Sequence, residues 1–521
     1  MFDVLITGGK IIDGTENVGF KGDVAIQGDQ VRILVGDTSS VQAGYTIDVS
    51  GSIVAPGFID SHTHSDLMAL AEPLNEPKIM QGVCTEMMGS DGVGYAPLSK
   101  ENLERMVLLF SGINGCPELD YNWSSITEYL EQFHHKASCN VAYLIPNGCL
   151  RVATVGWDNR PAAKDEIRKM QNMIRQGMEE EACGLSPGLD YPPGSWATTD
   201  ELVELCKTVA ECGGVYSTHV RYGVGDGVFD GFREAVTIGK RSGCPVHISH
   251  YFATIPLRGQ TQRMIQFIDD AIASGVDVTF DAYPYEAGST SMTIVLPQSA
   301  VTGGPHELLK LLKNRDDRER MRGQSRKVLG KLEEMVVSGV NTQKNKWCEG
   351  LTVQAIAERL QKDPCDTICD MLLEENLGAT FYFFGGDMND VKALMTHPAH
   401  MFISGGMPNP RTYGTFPKVL GQMVREEKIL TMEQAIRKMT SFPAHRYGLE
   451  GRGILRDAMK ADIVVFDPLT VTDTATFAKP KQFPLGIEYL FVNGKMVVEK
   501  GRHTGALPGE PIKIRGYVRG K

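Results

Sequence analysis

Nine short apolar segments separated by helical stretches constrain this chain more than any other feature. They are SIVAPGFID (52–60), VCTEMMG (83–89), NVAYLIPNG (140–148), GLSPGLDY (184–191), GVYSTHV (214–220), PVHISHY (245–251), DVTFDAYPY (277–285), TFYFFGG (380–386) and HMFISGG (400–406). Each is nearly continuous in apolar residues, the pattern of strands covered on both faces; helical connections between them make such strands parallel. Repeated this often, the alternation points to a distorted, TIM-like (β/α)8 barrel. Eight places for nine signals leave one surplus, and TFYFFGG is the segment set aside. After the seventh signal, a charged stretch at about 296–350 contains ELLKLLKNRDDRERMRGQSRKVLGKLEEM. It is too long for a barrel loop and is expected to be an inserted helical subdomain, either a lid or a solvated helical pair without a catalytic part.

The two ends have a different texture. VLITGGKIIDG, GDVAIQGDQVRILVG and TIDVSGSIVAPG at the start, and ADIVVFDP, IEYLFVNGKMVVEKG and PIKIRGYV near the end, alternate apolar residues with Gly and Asp turns. That is an antiparallel β pattern. The expectation is one small β-sandwich built from residues 1–56 and 450–521 together, flanking a barrel over residues 57–449. A chain of 521 residues is long enough for both.

Composition narrows the partners. A net charge of −11 argues against nucleic acid or an anionic membrane surface, since both need a basic face. The N-terminus MFDVLITGGK lacks a signal-peptide pattern and no run of 18 apolar residues occurs, so no membrane span is expected. The eleven cysteines are scattered without a CxxC pair, as for buried thiols in a reducing compartment, which points to the cytoplasm. A small-molecule substrate is the expected partner, and oligomeric state is left open.

In such a barrel, polar residues at the C-terminal strand ends face the active-site mouth. His62 and His64 follow the first strand, His219 closes the fifth, and His250 follows the sixth. Imidazoles drawn from separate strands can converge on one ion. His247 and His250 cannot both face the mouth; His250 is the expected ligand and His247 structural. Asp91, in the MGSDG turn after the second strand, is a candidate ligand, the alternative being a turn aspartate that bonds its own backbone.

Taken together, PGFIDSHTHSD, QGVCTEMMGSDG, STHVR, PVHISH, DAYPYEAGST, NPRTYGTFPKVLG and GRGILRDAMKADIVVFDP resemble the N-acyl-D-amino-acid deacylase (D-aminoacylase) branch of the metal-dependent amidohydrolases. The resemblance implies zinc-dependent hydrolysis of a linear amide, most readily an N-acyl-D-amino acid, on a barrel with a β-sandwich. It implies that His219 and His250 hold a tightly bound zinc, and that His62 and His64 match a second, weaker metal position. Asp91 stands where better-known members carry a bridging cysteine. Carboxylate for thiolate hardens the site, leaving manganese or nickel open beside zinc. Tyr191, Tyr283, Ser289 and Arg411 match positions that bind or line the substrate. Phe252 stands where a lysine is frequent, and Arg221 is a candidate to compensate.

The resemblance also implies a general base, an aspartate that takes a proton from the attacking water and passes it to the leaving nitrogen. Here that position is Gly405. Activity is therefore expected to be reduced, altered or abolished, with Asp66, Asp190 or Asp281 as stand-ins and Asp387 a poor one. Without that aspartate the second metal is doubtful, and His62 and His64 would orient water or substrate beside a single zinc. Two other readings remain: a cyclic amidohydrolase of the dihydropyrimidinase or dihydroorotase type, and a non-catalytic relative that binds metal and ligand. The former generally needs a carboxylated lysine after the fourth strand, and neither NVAYLIPNG nor GLSPGLDY holds a lysine.

Overall fold

Eight of the nine apolar segments form a single parallel sheet in the computed structural model, which describes all residues except 223–226, 254–256, 323–334, 407–408 and 515–521. The strands are β1 (Phe58–Asp60), β2 (Val83–Met88), β3 (Asn140–Pro146), β4 (Ala182–Ser186), β5 (Val215–Thr218), β6 (Val246–Ile248), β7 (Val278–Ala282) and β8 (His400–Phe402). They pair in chain order from β1 to β8, each in parallel register with the next. Every residue in them is buried, which is why their sequences run apolar without alternation. Helices cover the outer face. Thr199–Glu211, for example, is capped by the Thr198 hydroxyl and buries Leu202, Val203, Leu205, Cys206 and Val209 against the sheet.

The segment SIVAPGFID divides at Gly57. Ile53–Pro56 pairs with Ile463–Phe466 in a terminal sheet, while Phe58–Asp60 starts the barrel. That terminal sheet has seven strands from both ends of the chain, and a four-stranded sheet from residues 2–48 packs on it. Ile6, Val24, Ile26, Ile47, Ile463, Val465 and Phe491 form the core between them. The termini thus build one sandwich.

The expectation of a purely helical insertion needs correction. Helices Pro305–Lys313 and Arg315–Arg322 lie where expected, but Val336–Gly339 is a strand. It pairs antiparallel with Thr380–Phe384, which in turn pairs with Ala287–Ser291. TFYFFGG is therefore a strand outside the barrel, at the centre of a small sheet beside the mouth. β-Branched and aromatic residues suit such a partly covered ladder. Part of the charged stretch, residues 323–334, lies outside the described residues.

Between β8 and β1 the barrel is joined by side chains. The Ser404 backbone donates to Asp60 Oδ1 at 3.1 Å, its hydroxyl donates to Asp60 Oδ2 at 2.6 Å, and the Gly405 N–H donates to the His62 carbonyl at 3.1 Å. Lys78, 1% exposed, completes this seam. Its ammonium donates to Asp60 at 2.6 Å, to Thr63 at 3.1 Å and to Ser404, and lies 3.5 Å from Glu86. Replacing Lys78 with methionine strands two buried carboxylates without their cation, so Lys78→Met is expected to lose about 3–5 kcal/mol of stability in a denaturant titration. A loss below about 1 kcal/mol would contradict this account of the seam.

Candidate metal centre

The polar residues after the barrel strands converge on Asp91. Its backbone has φ 56°, the left-handed region that non-glycine residues rarely adopt. Gly89 and Gly92 flank it and cannot be larger, since a Cβ would stand 2.2 Å from the Leu144 carbonyl oxygen and 2.5 Å from the Gly188 nitrogen. This tight turn presses the carboxylate into the mouth, where Asp91 is 4% exposed. On the opposite side Thr63, between His62 and His64, bonds Glu86 at 2.9 Å and so fixes the segment that carries both rings.

Around Asp91 Oδ2 stand four imidazole nitrogens: Nε2 of His62, His64 and His250 at 3.3 Å each, and Nδ1 of His219 at 3.7 Å. His219 Nδ1 and His250 Nε2 face one another at 3.0 Å. Ligand atoms held at about 2.0–2.1 Å from one tetrahedral ion stand about 3.3–3.4 Å apart, so this spacing suits a shared cation. His62 Nε2, His64 Nδ1 and Asp91 Oδ1 are buried without a hydrogen-bond partner. Orphaned polar atoms of this kind are costly unless something binds them. The donor set therefore fits a divalent metal.

Electrostatics agree. Burial opposes a proton on His62, yet Asp91 and Asp281 outweigh it and push its pKa up to about 10. His219 is likewise pushed up to about 9 against burial, by Asp190 and Asp91. Burial pushes His64 and His250 down. Burial also opposes charge on Asp91, but the histidines hold its carboxyl well below the usual range. A metal bound at these nitrogens would have to displace any proton they carry.

Three groups orient these rings from behind. Asp190 accepts from His219 Nε2 at 3.2 Å, the Tyr222 hydroxyl meets His250 Nδ1 at 3.1 Å, and Asp281 lies 3.5 Å from His62 Nδ1. Asp281 also pairs with His247 Nε2 at 2.8 Å, so His247 is structural, as its spacing implied. Tyr222 carried no sequence signal; its role follows only from the fold bringing it onto His250.

The cluster opens into a pocket lined by Tyr191, Tyr283, Ser289, Arg411, Phe252 and Gly405 together with the metal-facing residues. Arg221, the expected compensating cation, is not among the lining residues. Its guanidinium is spent on the carbonyls of Ser195 (2.7 Å) and Ala197 (2.9 Å) and on Glu234 (3.3 Å), so it braces a loop away from the described pocket lining. Of the carboxylates considered as stand-in bases, Asp66 bonds Gly89 and Tyr129 away from the pocket, and Asp281 is enclosed behind His62 and His247. Asp387 caps the helix Met388–Met395. Asp190 alone lines the pocket, and it already holds His219 and the Tyr222 N–H.

Two outcomes follow. Because bound protons must leave, metal affinity should rise by at least about tenfold per pH unit between pH 6 and 8, read by calorimetry in buffers of differing ionisation enthalpy. A pH-independent affinity would contradict the cluster. Asp190→Asn should weaken metal binding by about 10–100-fold, since it frees the His219 ring.

Known proteins share this arrangement of chain. A model of the amidohydrolase family matches residues 45–314 and 374–498. The D-aminoacylase of Alcaligenes xylosoxydans xylosoxydans is 33% identical over 98% of this chain and 97% of its own length. The N-acyl-D-aspartate deacylase of the same organism is 32% identical over 98% and 95%. The crystal structure of N-acyl-D-glutamate deacylase from Bordetella bronchiseptica, complexed with zinc and a phosphonate inhibitor, superposes with a TM-score of 0.82 at 31% identity, covering 98% of this chain and 99% of that one. The chain therefore belongs to the amidohydrolase family, in the branch of the D-aminoacylases, and is a metal-dependent amidohydrolase acting on carbon–nitrogen bonds other than peptide bonds.

Proposed function

We propose that the protein hydrolyses N-acyl-D-amino acids at a zinc centre held by His219, His250 and Asp91, with His62 and His64 completing the cluster. The observation that carries this reading is the meeting of four imidazoles on one carboxylate at the floor of a pocket that holds a single guanidinium, Arg411. Zinc bound there would supply Lewis-acid polarisation of the amide carbonyl and a nucleophile at neutral pH. D-configuration and zinc rest on the relatives' activities and bound ion.

The chain's own residues bind and orient. Arg411 is 3% exposed, its Cζ lies 3.9 Å over the Tyr283 ring, and its Nε donates to Asn409 at 3.3 Å. Among the described residues no carboxylate pairs with it. A guanidinium held this way offers two parallel N–H groups to a substrate carboxylate. The Ser289 hydroxyl, buried without a partner, adds a donor beside it. Ile113, Val228, Phe252, Ile294 and Phe383 make the remaining wall apolar. With Phe252 in place of a lysine and Arg221 engaged elsewhere, the pocket suits a monoanion with an apolar side chain. Among the described residues no lysine lines it, which disfavours the cyclic amidohydrolases that bridge metals with a carboxylated lysine.

Proton transfer is the weak step. Gly405 has φ 69°, a left-handed backbone that strains any side chain, and a Cβ there would meet Arg411 and Tyr283 at an ordinary 3.6 Å. Among the described residues the cysteines form no disulfide, which supports a cytoplasmic setting.

Release of free D-amino acid from N-acetyl-D-leucine by the zinc-loaded protein tests the reading. Gly405→Asp should raise kcat by about 10²-fold or more with KM little changed, the usual worth of a positioned base. Arg411→Met should raise KM for the same substrate by about tenfold or more. If both the natural protein and Gly405→Asp bind zinc and leave every N-acyl-D-amino acid intact, the deacylase reading fails and a binding-only relative remains.

A further inference from the structure

Between two strands of the terminal sheet, Ile463–Phe466 and Ile487–Val492, the chain runs out as a hairpin over residues 472–485 and returns. Thr472 and Leu485 exchange backbone hydrogen bonds at 3.2 and 3.0 Å, and Thr476 and Lys479 do so at 3.1 and 3.0 Å. The Thr474 hydroxyl donates to the Phe483 carbonyl at 2.8 Å. Two residues, Phe477 and Ala478, are left to make the tip, a length that holds a hairpin tightly. One aromatic side chain is thereby carried away from the terminal domain. Phe477 is half-buried, and its neighbours are the segments that bear substrate-facing groups of the pocket.

Its ring centroid lies 5.1 Å from Tyr382, 5.0 Å from Phe384 and 6.4 Å from Tyr285, with the rings steeply inclined in each pair. Such edge-on contacts fix relative orientation as well as cover apolar surface. Tyr382 stands opposite Ser289 in the register of the small sheet. Tyr285 is tied back to Tyr283, since its N–H donates to the Tyr283 carbonyl at 2.8 Å. The Tyr285 hydroxyl lies 3.5 Å from the Pro410 carbonyl, at the start of the helix Pro410–Lys418 that carries Arg411. The base of the hairpin packs on the same helix. A Cβ at Gly414 would stand 2.7 Å from Asp473 Cβ and 3.2 Å from the Tyr285 hydroxyl oxygen, so hairpin, helix and Tyr285 meet where no side chain fits.

We propose that Phe477 is a positioning residue for carboxylate binding: it backs Tyr285 and Tyr382, and through them holds Tyr283, Arg411 and Ser289 in one arrangement. This rests on the reading of Arg411 as the holder of a substrate carboxylate. A planar guanidinium pairs with a carboxylate through two bonds only when its plane is set in advance, so small displacements cost affinity. The metal-facing residues follow β1, β2, β5 and β6, whereas Phe477 backs segments that follow β7 and β8. Its loss should therefore separate the two halves of the site, weakening the hold on the carboxylate and sparing the metal centre.

The test compares the natural protein with Phe477→Ala and Phe477→Tyr, all zinc-loaded. Each is titrated calorimetrically with N-acetyl-D-leucine and with its carboxamide, release of D-leucine is followed alongside, and zinc affinity is read by chelator competition. The natural protein should favour the carboxylate over the carboxamide. Phe477→Ala should weaken N-acetyl-D-leucine by about tenfold, in KM as in binding, and leave kcat, the carboxamide and zinc affinity unchanged. Phe477→Tyr keeps the ring and should behave as the natural protein. Phe477→Leu, which keeps apolar cover, replaces alanine should that variant fold poorly, with the same signature expected. An unchanged carboxylate affinity, an equal loss for carboxylate and carboxamide, a fall in zinc affinity, or no preference for the carboxylate in the natural protein overturns the positioning role. Release of D-leucine that Phe477→Ala leaves unaltered removes that role and keeps the deacylase. A carboxylate preference lost in Phe477→Ala, with no D-leucine released by any form, keeps the role and removes the deacylase.

Discussion

The carboxylate of Asp91 is the constraint on which the rest of the site depends. It is an anion withdrawn from water, and such a group persists only when positive charge surrounds it. Four imidazole nitrogens within 3.7 Å supply that surrounding. They come from the ends of β1, β5 and β6, so the carboxylate joins distant parts of the chain at one point. The same density of donors leaves two buried nitrogens and one oxygen without partners. An arrangement that is costly as bare protein is economical as a ligand cage.

The barrel serves this point by holding strand ends in a ring. Where the ladder between β8 and β1 gives way to side chains, Lys78 ties Asp60, Thr63 and Ser404 together, and through them the segment carrying His62 and His64 and the turn at Gly405. Asp190, Asp281 and Tyr222 then set the ring orientations. Such outer partners govern metal affinity nearly as strongly as the ligands. The small sheet that includes Ala287–Ser291 lies beside the mouth and brings Ser289 into the pocket.

Much of this was legible in the residues alone. Continuous apolar strands between helices indicate a parallel barrel because both faces are covered, and eight of the nine segments lie in it. Histidines at strand ends indicated a shared centre, and Gly residues around Asp91 indicated a sharp turn. What was hidden shares one physical cause: it depends on contacts between segments distant in the chain. Arg221 looked free beside His219, but three backbone carbonyls from the 189–197 loop occupy it. Tyr222 meets His250 only once β5 and β6 are adjacent. Val336–Gly339 becomes a strand through pairing with Thr380–Phe384, so its charged helical surroundings misdirected the local reading.

We propose that Asp91 takes the bridging position of the centre and Gly405 the position of the base, giving hard ligands with a weakened proton path. Among the described residues no cysteine lines the metal pocket. X-ray absorption at the zinc edge of the zinc-loaded protein tests the central claim most directly. The account predicts a first shell of nitrogen and oxygen alone at about 2.0–2.1 Å, lost on Asp91→Ala. A sulfur contribution at about 2.3 Å, or a shell unchanged by Asp91→Ala, would contradict it.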